Sequence, residues 1–287
     1  MENINRIILI NKEKGYTSHD VVAKVKKLLN IKKVGHTGTL DPNATGVLPL
    51  LLNDGTKISK YLIEHDKEYE VVLKLGIKTD TADGEGKILK ESEVKKEIFE
   101  KVEETLKSFI GKQEQIPPMY SAIKVNGKKL YEYARSGENI EVEPRNIEIY
   151  SINLQNIDKK ENEISFKVSC SKGTYIRTLC EDIASKLGTV GFMKELNRTK
   201  VGSFKIEDAI KIDKIKDNSH KIISIEKFFE NKEKINLSKK ELDKFLNGVK
   251  IFVDKKDDIY NIYENNTYIG IGVINQKKLK RDVIIDN

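Results

Sequence analysis

Gly35-His36-Thr37-Gly38-Thr39-Leu40-Asp41-Pro42-Asn43-Ala44-Thr45-Gly46 sets three glycines around a single carboxylate, with a proline directly behind it. Glycine permits tight turns and close approach of backbone to a ligand. Pro42 restricts Asp41 to extended backbone, which fixes the direction of its carboxylate. Residues 34–46 are therefore expected to form a loop. An isolated Asp-Pro turn ordinarily serves only as a local hydrogen-bond acceptor. A phosphate loop is disfavoured, because no Gly-Lys-Ser/Thr follows. Whether this loop is a turn or a site depends on its surroundings.

Outward from it, residues 17–30 read as a helix. Thr17 and Asp20 form a capping box, and Val21, Val22, Val25, Leu28 and Leu29 make an apolar face. Residues 7–10 read as a short strand, 47–52 as a buried apolar run and 57–62 as a short helix. Residues 68–75 alternate, with Tyr69, Val71, Leu73 and Leu75 on one face of a half-buried strand. Residues 79–86 form a polar Asp/Gly loop. An amphipathic helix is expected over 94–110, with Ile98, Val102, Leu106 and Phe109 inward and Gly111 just past its end. Residues 116–145 are irregular and basic, and 164–170 alternate as a strand. Thr174 is placed to cap a helix running to Leu187, which Gly188 ends. After the Lys-rich stretch 211–234, residues 236–287 read as a small separate unit with one helix (239–246). Strands 259–263 and 268–273 pair across a turn there.

Composition narrows the class. The 287 residues carry 52 Lys+Arg against 45 Asp+Glu, a formal net charge of +7, with 38% hydrophobic and 34% charged residues. That is a mild excess with mixed signs, and by itself it does not decide for nucleic acid. No run approaches the apolar length of a membrane span, and residues 1–6 do not open as a signal peptide. A soluble cytoplasmic protein with no membrane association is expected. The two cysteines, Cys170 and Cys180, make neither a disulfide framework nor a zinc quartet, and four scattered histidines offer no metal site. The basic residues include only six Arg (Arg6, Arg135, Arg145, Arg177, Arg198 and Arg281). In such a chain an Arg suggests a place where Lys will not serve, for example a planar bidentate contact.

The stretch His36-Thr37-Gly38-Thr39-Leu40-Asp41-Pro42-x-Ala44-Thr45-Gly46-Val47-Leu48 closely resembles the catalytic motif of the bacterial tRNA pseudouridine synthase B family. Further segments resemble the family's other motifs in order. Lys12-x-x-Gly15-x-Thr17-Ser18 is similar to its N-terminal motif, with Glu13 where the family usually has proline. Lys67-x-Tyr69 through Gly76-x-x-Thr79-Asp80-Thr81-x-Asp83-x-x-Gly86 is similar to its tyrosine motif. Gln115-x-Pro117-Pro118-x-Tyr120-Ser121-Ala122-x-Lys124-x-x-Gly127 with Tyr131, Ala134 and Arg135 resembles its RNA-clasping segment. Ser169-Cys170-Ser171-Lys172-Gly173-Thr174-Tyr175-Ile176-Arg177 resembles its arginine motif, and Leu196-x-Arg198-Thr199 its leucine motif. The matches span roughly residues 10–205.

The resemblance implies an α+β pseudouridine synthase fold: a mixed, mostly antiparallel bent sheet flanked by helices. It implies a catalytic domain at 1–231, with an RNA-clasping insertion at about 116–145, and a small β-rich PUA-like RNA-binding domain at 232–287. The implied activity converts uridine to pseudouridine at position 55 in the TΨC loop of tRNA. No group is lost and no redox change occurs, so neither cofactor nor metal is expected. The resemblance makes Asp41 the catalytic aspartate, Tyr69 the residue that stacks on the target base, and Arg177 the cation that pairs with the aspartate. Leu196 becomes an apolar pocket wall, and His36 enters the loop from which bases are flipped. Tyr120 suits stacking, and Lys12, Lys124, Arg135 and Arg145 are candidates for RNA phosphate contacts. Taken singly, Tyr69 and Leu196 are more commonly core residues, and each lysine and arginine more often a solvated surface charge. A guide-RNA-dependent relative is expected to carry longer terminal extensions. The tRNA T-arm is therefore the expected partner of a monomer, without guide RNA or protein partner.

Overall fold

The computed structural model describes residues 6–138, 140–217 and 222–285. Positions 1–5, 139, 218–221 and 286–287 lie outside the described residues; they fall in the opening segment, the expected clasp, the Lys-rich stretch and the C-terminal unit. Contacts divide the chain into two compact units. One comprises Met1–Pro42, Val47–Ile63 and Ile206–Asn287; the other comprises Asn43–Gly46 and Glu64–Lys205.

In the first unit, residues 7–10 of strand Arg6–Lys12 and residues 47–52 of strand Thr45–Leu52 are apolar and buried on both faces. Arg6–Lys12 pairs antiparallel with Ile222–Ser224, and Val34–His36 pairs antiparallel with Leu50–Leu52. The expected loop is thus strand at both ends and irregular only over 37–44. Helix Ser18–Leu28 starts at the expected capping box: Thr17 Oγ1 accepts from the Asp20 amide, and the Asp20 carboxylate accepts from the Thr17 amide. The helix buries Val21 and Val25.

This unit also holds a five-stranded sheet, in the order Lys234–Asn236, Ile259–Glu264, Thr267–Asn275, Lys278–Ile284, Ile251–Phe252. Its core is Phe245, Tyr260, Ile262, Ile274 and Leu279. The hairpin turns at Asn265 (φ 45°) and Asn266 (φ 66°), the left-handed pair that a two-residue type I′ turn requires. Lys57 donates to the Ile284 carbonyl at 2.8 Å, and Lys60 and Tyr61 both reach the Asp282 carboxylate. Those bonds tie the last strand to residues 53–63, so contacts group the small sheet with amino-terminal segments rather than setting 232–287 apart.

The second unit is an antiparallel sheet. Gly191–Val201 pairs with Lys67–Leu75, which pairs with Glu163–Cys170, then Arg145–Asp158, then Gly111–Gln115. A short parallel pairing joins Thr45 to Asn197 and Gly46 to Arg198. Helix Ile176–Lys186 packs closely enough that a Cβ on Gly191 would stand 2.8 Å from the Ala184 Cβ.

Three local expectations are corrected. Residues 94–110 form no continuous helix; they make a 3₁₀ turn (Lys96–Lys101) and a short α-helix (Val102–Lys107). No side chain caps the start, and Lys95 and Lys96 set positive charge against the positive end of the helix dipole. Thr174 does not cap the arginine helix: its hydroxyl donates to the Ser171 carbonyl at 3.0 Å, and Tyr175 is the N-cap without a side-chain bond. Instead, Gln115 clamps the Tyr175 backbone, accepting from its N–H at 2.8 Å and donating to its carbonyl at 3.0 Å. The clasp region 116–145 is more ordered than expected. A small hairpin (Lys124–Val125, Lys128–Lys129) turns at Asn126 (φ 52°) and Gly127 (φ 82°), and helix Leu130–Arg135 follows.

Candidate active site

Asp41 is half-buried in the first unit. Its neighbours on both sides are fixed. The buried Ser18 hydroxyl accepts from the Leu40 amide at 2.9 Å and lies 3.3 Å from the Leu40 carbonyl. The Pro42 carbonyl accepts from the Gly15 amide at 2.9 Å and from the Lys12 ammonium at 3.0 Å. Lys12 also donates to the carbonyls of Tyr16 (2.7 Å) and Glu13 (3.1 Å) and has no exposed surface. This corrects the expectation that Lys12 meets RNA phosphate: its ammonium is held inside by three carbonyls and acts on the backbone beside Asp41. His36 ends its short strand half-buried, edge-on to His19 with ring centroids 5.5 Å apart. Its Nδ1 accepts from the Gly38 amide at 3.4 Å.

In the second unit, strand register assembles a face. Tyr69 lies opposite Arg198 on one side and Val168 on the other; Val71 lies opposite Leu196. Directly opposite residues share a face, as do alternate residues along a strand. Tyr69, Leu196 and Arg198 therefore stand together, each at least nine-tenths buried. The Tyr69 hydroxyl and the Arg198 guanidinium are hydrogen-bonded. Burial pushes the Arg198 pKa down, and the charge and hydrogen bond of Tyr69 push it back up. The chain from Asp41 reaches this strand within five residues, since Thr45 pairs with Asn197 and Gly46 with Arg198. Thr45 Oγ1 lies 3.2 Å from Asn197 Oδ1 and 3.4 Å from the Leu196 carbonyl.

Arg177 occupies the first turn of helix Ile176–Lys186 and is 6% exposed. Its guanidinium donates to the carbonyls of Tyr120 (3.0 Å) and Thr81 (3.3 Å), joining the clasp to the 79–86 loop. That loop is itself braced: Asp83 Oδ1 accepts from the Thr81 hydroxyl at 2.6 Å and the Glu85 amide at 3.0 Å. In the clasp, Lys129 and Arg135 stand 5.2 and 5.4 Å from the Tyr131 ring centroid, and Lys128 stands 4.3 Å from that of Tyr133. Lys124, Arg135 and Arg145 are exposed, and Tyr120 is half-buried. Sequence reasoning missed Ser18, Gln115 and above all Arg198 as site-building residues. For Arg198 a signal existed: it is one of six Arg and stands two residues from Leu196.

Comparison with known proteins meets this geometry. Residues 26–176 match the TruB family pseudouridylate synthase (N terminal domain), and residues 177–250 match the tRNA pseudouridylate synthase B C-terminal domain. The class is that of the pseudouridine synthases, enzymes that isomerise uridine. Proteins named tRNA pseudouridine synthase B are similar over nearly the whole length. The one from Clostridium tetani is 46% identical over 277 residues, covering 94% of this chain and 95% of its own. The one from Clostridium novyi is 46% identical over 292 residues, covering 98% and 100%. A chain in the crystal structure of a Cbf5-Nop10-Gar1 complex superposes with a TM-score of 0.69 at 26% identity, covering 100% of this chain and 85% of its own. The chain belongs to the tRNA pseudouridine synthase B family, and it isomerises uridine in tRNA. No described helix is long and apolar enough to cross a membrane.

Proposed function

We propose that the uridine converted is the one at position 55, in the TΨC loop of tRNA, and that Asp41 is the essential carboxylate. The observation that carries this reading is the bracing of Asp41 from both sides, by Ser18 on Leu40 and by Lys12 and Gly15 on Pro42. A carboxylate held this way is preorganised to act at the developing positive charge of the ribose C1′. The N1–C1′ bond breaks, the uracil turns, and C5 bonds to C1′; the atoms of uridine are conserved. Tyr69 stacks on the flipped base, Leu196 walls the pocket, and Arg177 supplies the cation that keeps the aspartate ionised. His36 fills the vacated stack. Tyr120 stacks on unpaired RNA, while Lys124, Arg135 and Arg145 neutralise T-arm phosphates. The C-terminal sheet adds RNA contact in the manner of a PUA domain. The enzyme acts in the cytoplasm as a monomer, on tRNA alone, without guide RNA or protein partner.

The test uses tRNA carrying tritium at uridine C5, whose release reports isomerisation. Asp41→Ala is expected to bind tRNA with near-parent affinity and release no tritium, and a tRNA with cytidine at position 55 is expected to be inert to the parent. A bare T-arm minihelix is expected to suffice as substrate. Turnover by Asp41→Ala near the parent rate would remove Asp41 from the reaction, and undiminished release from the position-55 variant would move the target elsewhere.

A further inference from the structure

Gln115 ends the edge strand Gly111–Gln115, opposite Arg145, and stands directly before the clasp. Its side chain is buried, and both ends of the carboxamide go to one residue. Oε1 accepts from the Tyr175 N–H at 2.8 Å, and Nε2 donates to the Tyr175 carbonyl at 3.0 Å. Tyr175 is the N-cap of helix Ile176–Lys186. Its carbonyl also accepts from the Leu179 amide at 3.1 Å, the bond that closes the first turn of the helix. The glutamine therefore holds the residue from which that turn grows, and Arg177 lies in the turn.

The same turn is stitched to the clasp at two further points. The Thr178 hydroxyl donates to the Ile116 carbonyl at 3.3 Å, and the Arg177 guanidinium donates to the Tyr120 carbonyl at 3.0 Å. Between these points Pro117 and Pro118 each fix a φ angle, which leaves the strap from Gln115 to Tyr120 little freedom of its own. Burying a primary amide is costly unless its donors and acceptor are used. A helix start is capped more simply by Ser, Thr, Asp or Asn at the N-cap itself. Here Thr174, one residue earlier, turns its hydroxyl to the Ser171 carbonyl instead. A cap supplied by a distant strand adds what a local one lacks: it ties the direction of the first turn to the sheet.

We propose that Gln115 is a positioning residue for the isomerisation: acting through Tyr175, it fixes the first turn of the arginine helix and so sets where the Arg177 guanidinium stands. The inference rests on the reading of Arg177 as the cation that keeps Asp41 ionised. A carboxamide suits the task. Met of similar length would lose both bonds, and Glu would still accept from the Tyr175 N–H but would set a second acceptor against its carbonyl. Arg177 has little room to compensate for a shifted turn, because its donors are committed to the carbonyls of Thr81 and Tyr120. A misplacement of about 1 Å in such a group costs about 10²-fold in rate.

The experiment measures tritium release, in single turnover and in steady state, for Gln115→Met, Gln115→Glu, Arg177→Met and the Gln115→Met/Arg177→Met double variant. Thermal melting is measured for each, and rates are taken where the variant is fully folded. Gln115→Met is expected to lower the single-turnover rate and kcat about 10²-fold with KM as in the parent. Gln115→Glu is expected to be slowed as well, since it keeps the acceptor and loses the donor. The double variant is expected to be no slower than Arg177→Met, because Gln115 acts only through Arg177. A lowered Tm with kcat at the parent value would reduce Gln115 to a helix cap and overturn the proposal, as would a double variant in which the two losses multiply. A raised KM with kcat kept would assign Gln115 to the hold of the clasp on RNA and overturn it too. Should Gln115→Met not accumulate as folded protein, Gln115→Glu must show the fall in kcat at unchanged KM, or the proposal fails. Arg177→Met at the parent rate would remove Arg177 from the reaction and with it the reading on which the inference rests. A slow Arg177→Met beside a parent-like Gln115→Met would overturn the positioning role alone.

Discussion

Replacing Lys12 by Met separates two roles that a lysine next to a catalytic loop can play. If Lys12 neutralised a phosphate, its loss would weaken tRNA binding and reduce the salt slope of the affinity by about 0.9 in log–log terms. The structure puts the ammonium inside, on the carbonyls of Tyr16, Pro42 and Glu13. Hydrogen bonds to a charged group contribute about 1.5–3 kcal/mol each, so three would sum to several. Two effects reduce that sum. Glu13 and Tyr16 are half-exposed, so their carbonyls can rehydrate, and the Pro42 carbonyl keeps its bond from Gly15. Met also avoids the cost of burying a charge, which is several kcal/mol per ion. The net expectation is a loss of about 2–4 kcal/mol, or a fall in Tm of roughly 3–7 °C for a chain of this size. Because the freed backbone adjoins Asp41, the rate of pseudouridine formation should fall while tRNA affinity and its salt slope stay as in the parent. Calorimetry, tritium release and filter binding from low to high salt measure the three quantities. An unchanged Tm together with a flatter salt slope would refute the interior role and restore the phosphate contact.

Gly46→Ala should be damaging out of proportion to one methyl group. Gly46 has φ +112°, and its added Cβ would meet backbone atoms of Arg198 at 2.2 and 2.5 Å, where no side chain can swing away. A loss of more than about 3 kcal/mol is expected from the strained dihedral and the clash together; a melting temperature close to that of the parent would show that the strand accommodates it. Both cysteines should resist a thiol reagent in the native state at pH 8 and react on unfolding, since burial pushes Cys170 up to about 12 and Cys180 higher still. Each buried thiol keeps its proton where the unfolded chain loses it near the ordinary value of 9.0. Their contribution to stability is full below that pH and declines as pH rises toward 12. Rapid native-state labelling, or stability unaffected across that alkaline range, would contradict the burial.

What the sequence disclosed, and what it withheld, follows from how local each determinant is. The Asp41 loop was legible over 37–44, where glycine, threonine and an Asp-Pro pair disfavour regular structure, but its ends at 34–36 and 45–46 are strand, because their hydrogen-bond partners lie on other segments. The capping box at Thr17 and Asp20 and the Asn-Asn hairpin at 265–266 were legible because each closes its hydrogen bonds within a few residues. Lys12 was misread because its partners include Pro42, 30 positions away, and a lysine in isolation reads as a solvated charge. Helix 94–110 was overextended because its apolar spacing is helical while its uncapped, lysine-flanked start is not. Gln115, which does the work expected of Thr174, comes from a strand 60 residues earlier.

Arginine scarcity carried more than its use in the motif suggested. Of the six arginines, Arg177 and Arg198 are the buried ones among the described residues. Each is used in a way an ammonium would serve poorly. Arg177 spreads its planar fork across carbonyls of two separate segments, Thr81 and Tyr120. Arg198 lies in an apolar sheet face, where a guanidinium is less costly to desolvate than an ammonium, and directs its donors at a phenol. Composition thus marked both residues, and the motif resemblance, which includes both, gave a role to Arg177 alone. The other became visible once the register put Arg198 opposite Tyr69. That register depends on the shift between Arg198 and Lys200, and alternation along the strand cannot reveal such a shift, because a one-residue slip exchanges the faces. An arginine inside an alternating strand of a lysine-rich chain is therefore worth testing as a partner of whichever tyrosine or carboxylate the pairing sets across from it.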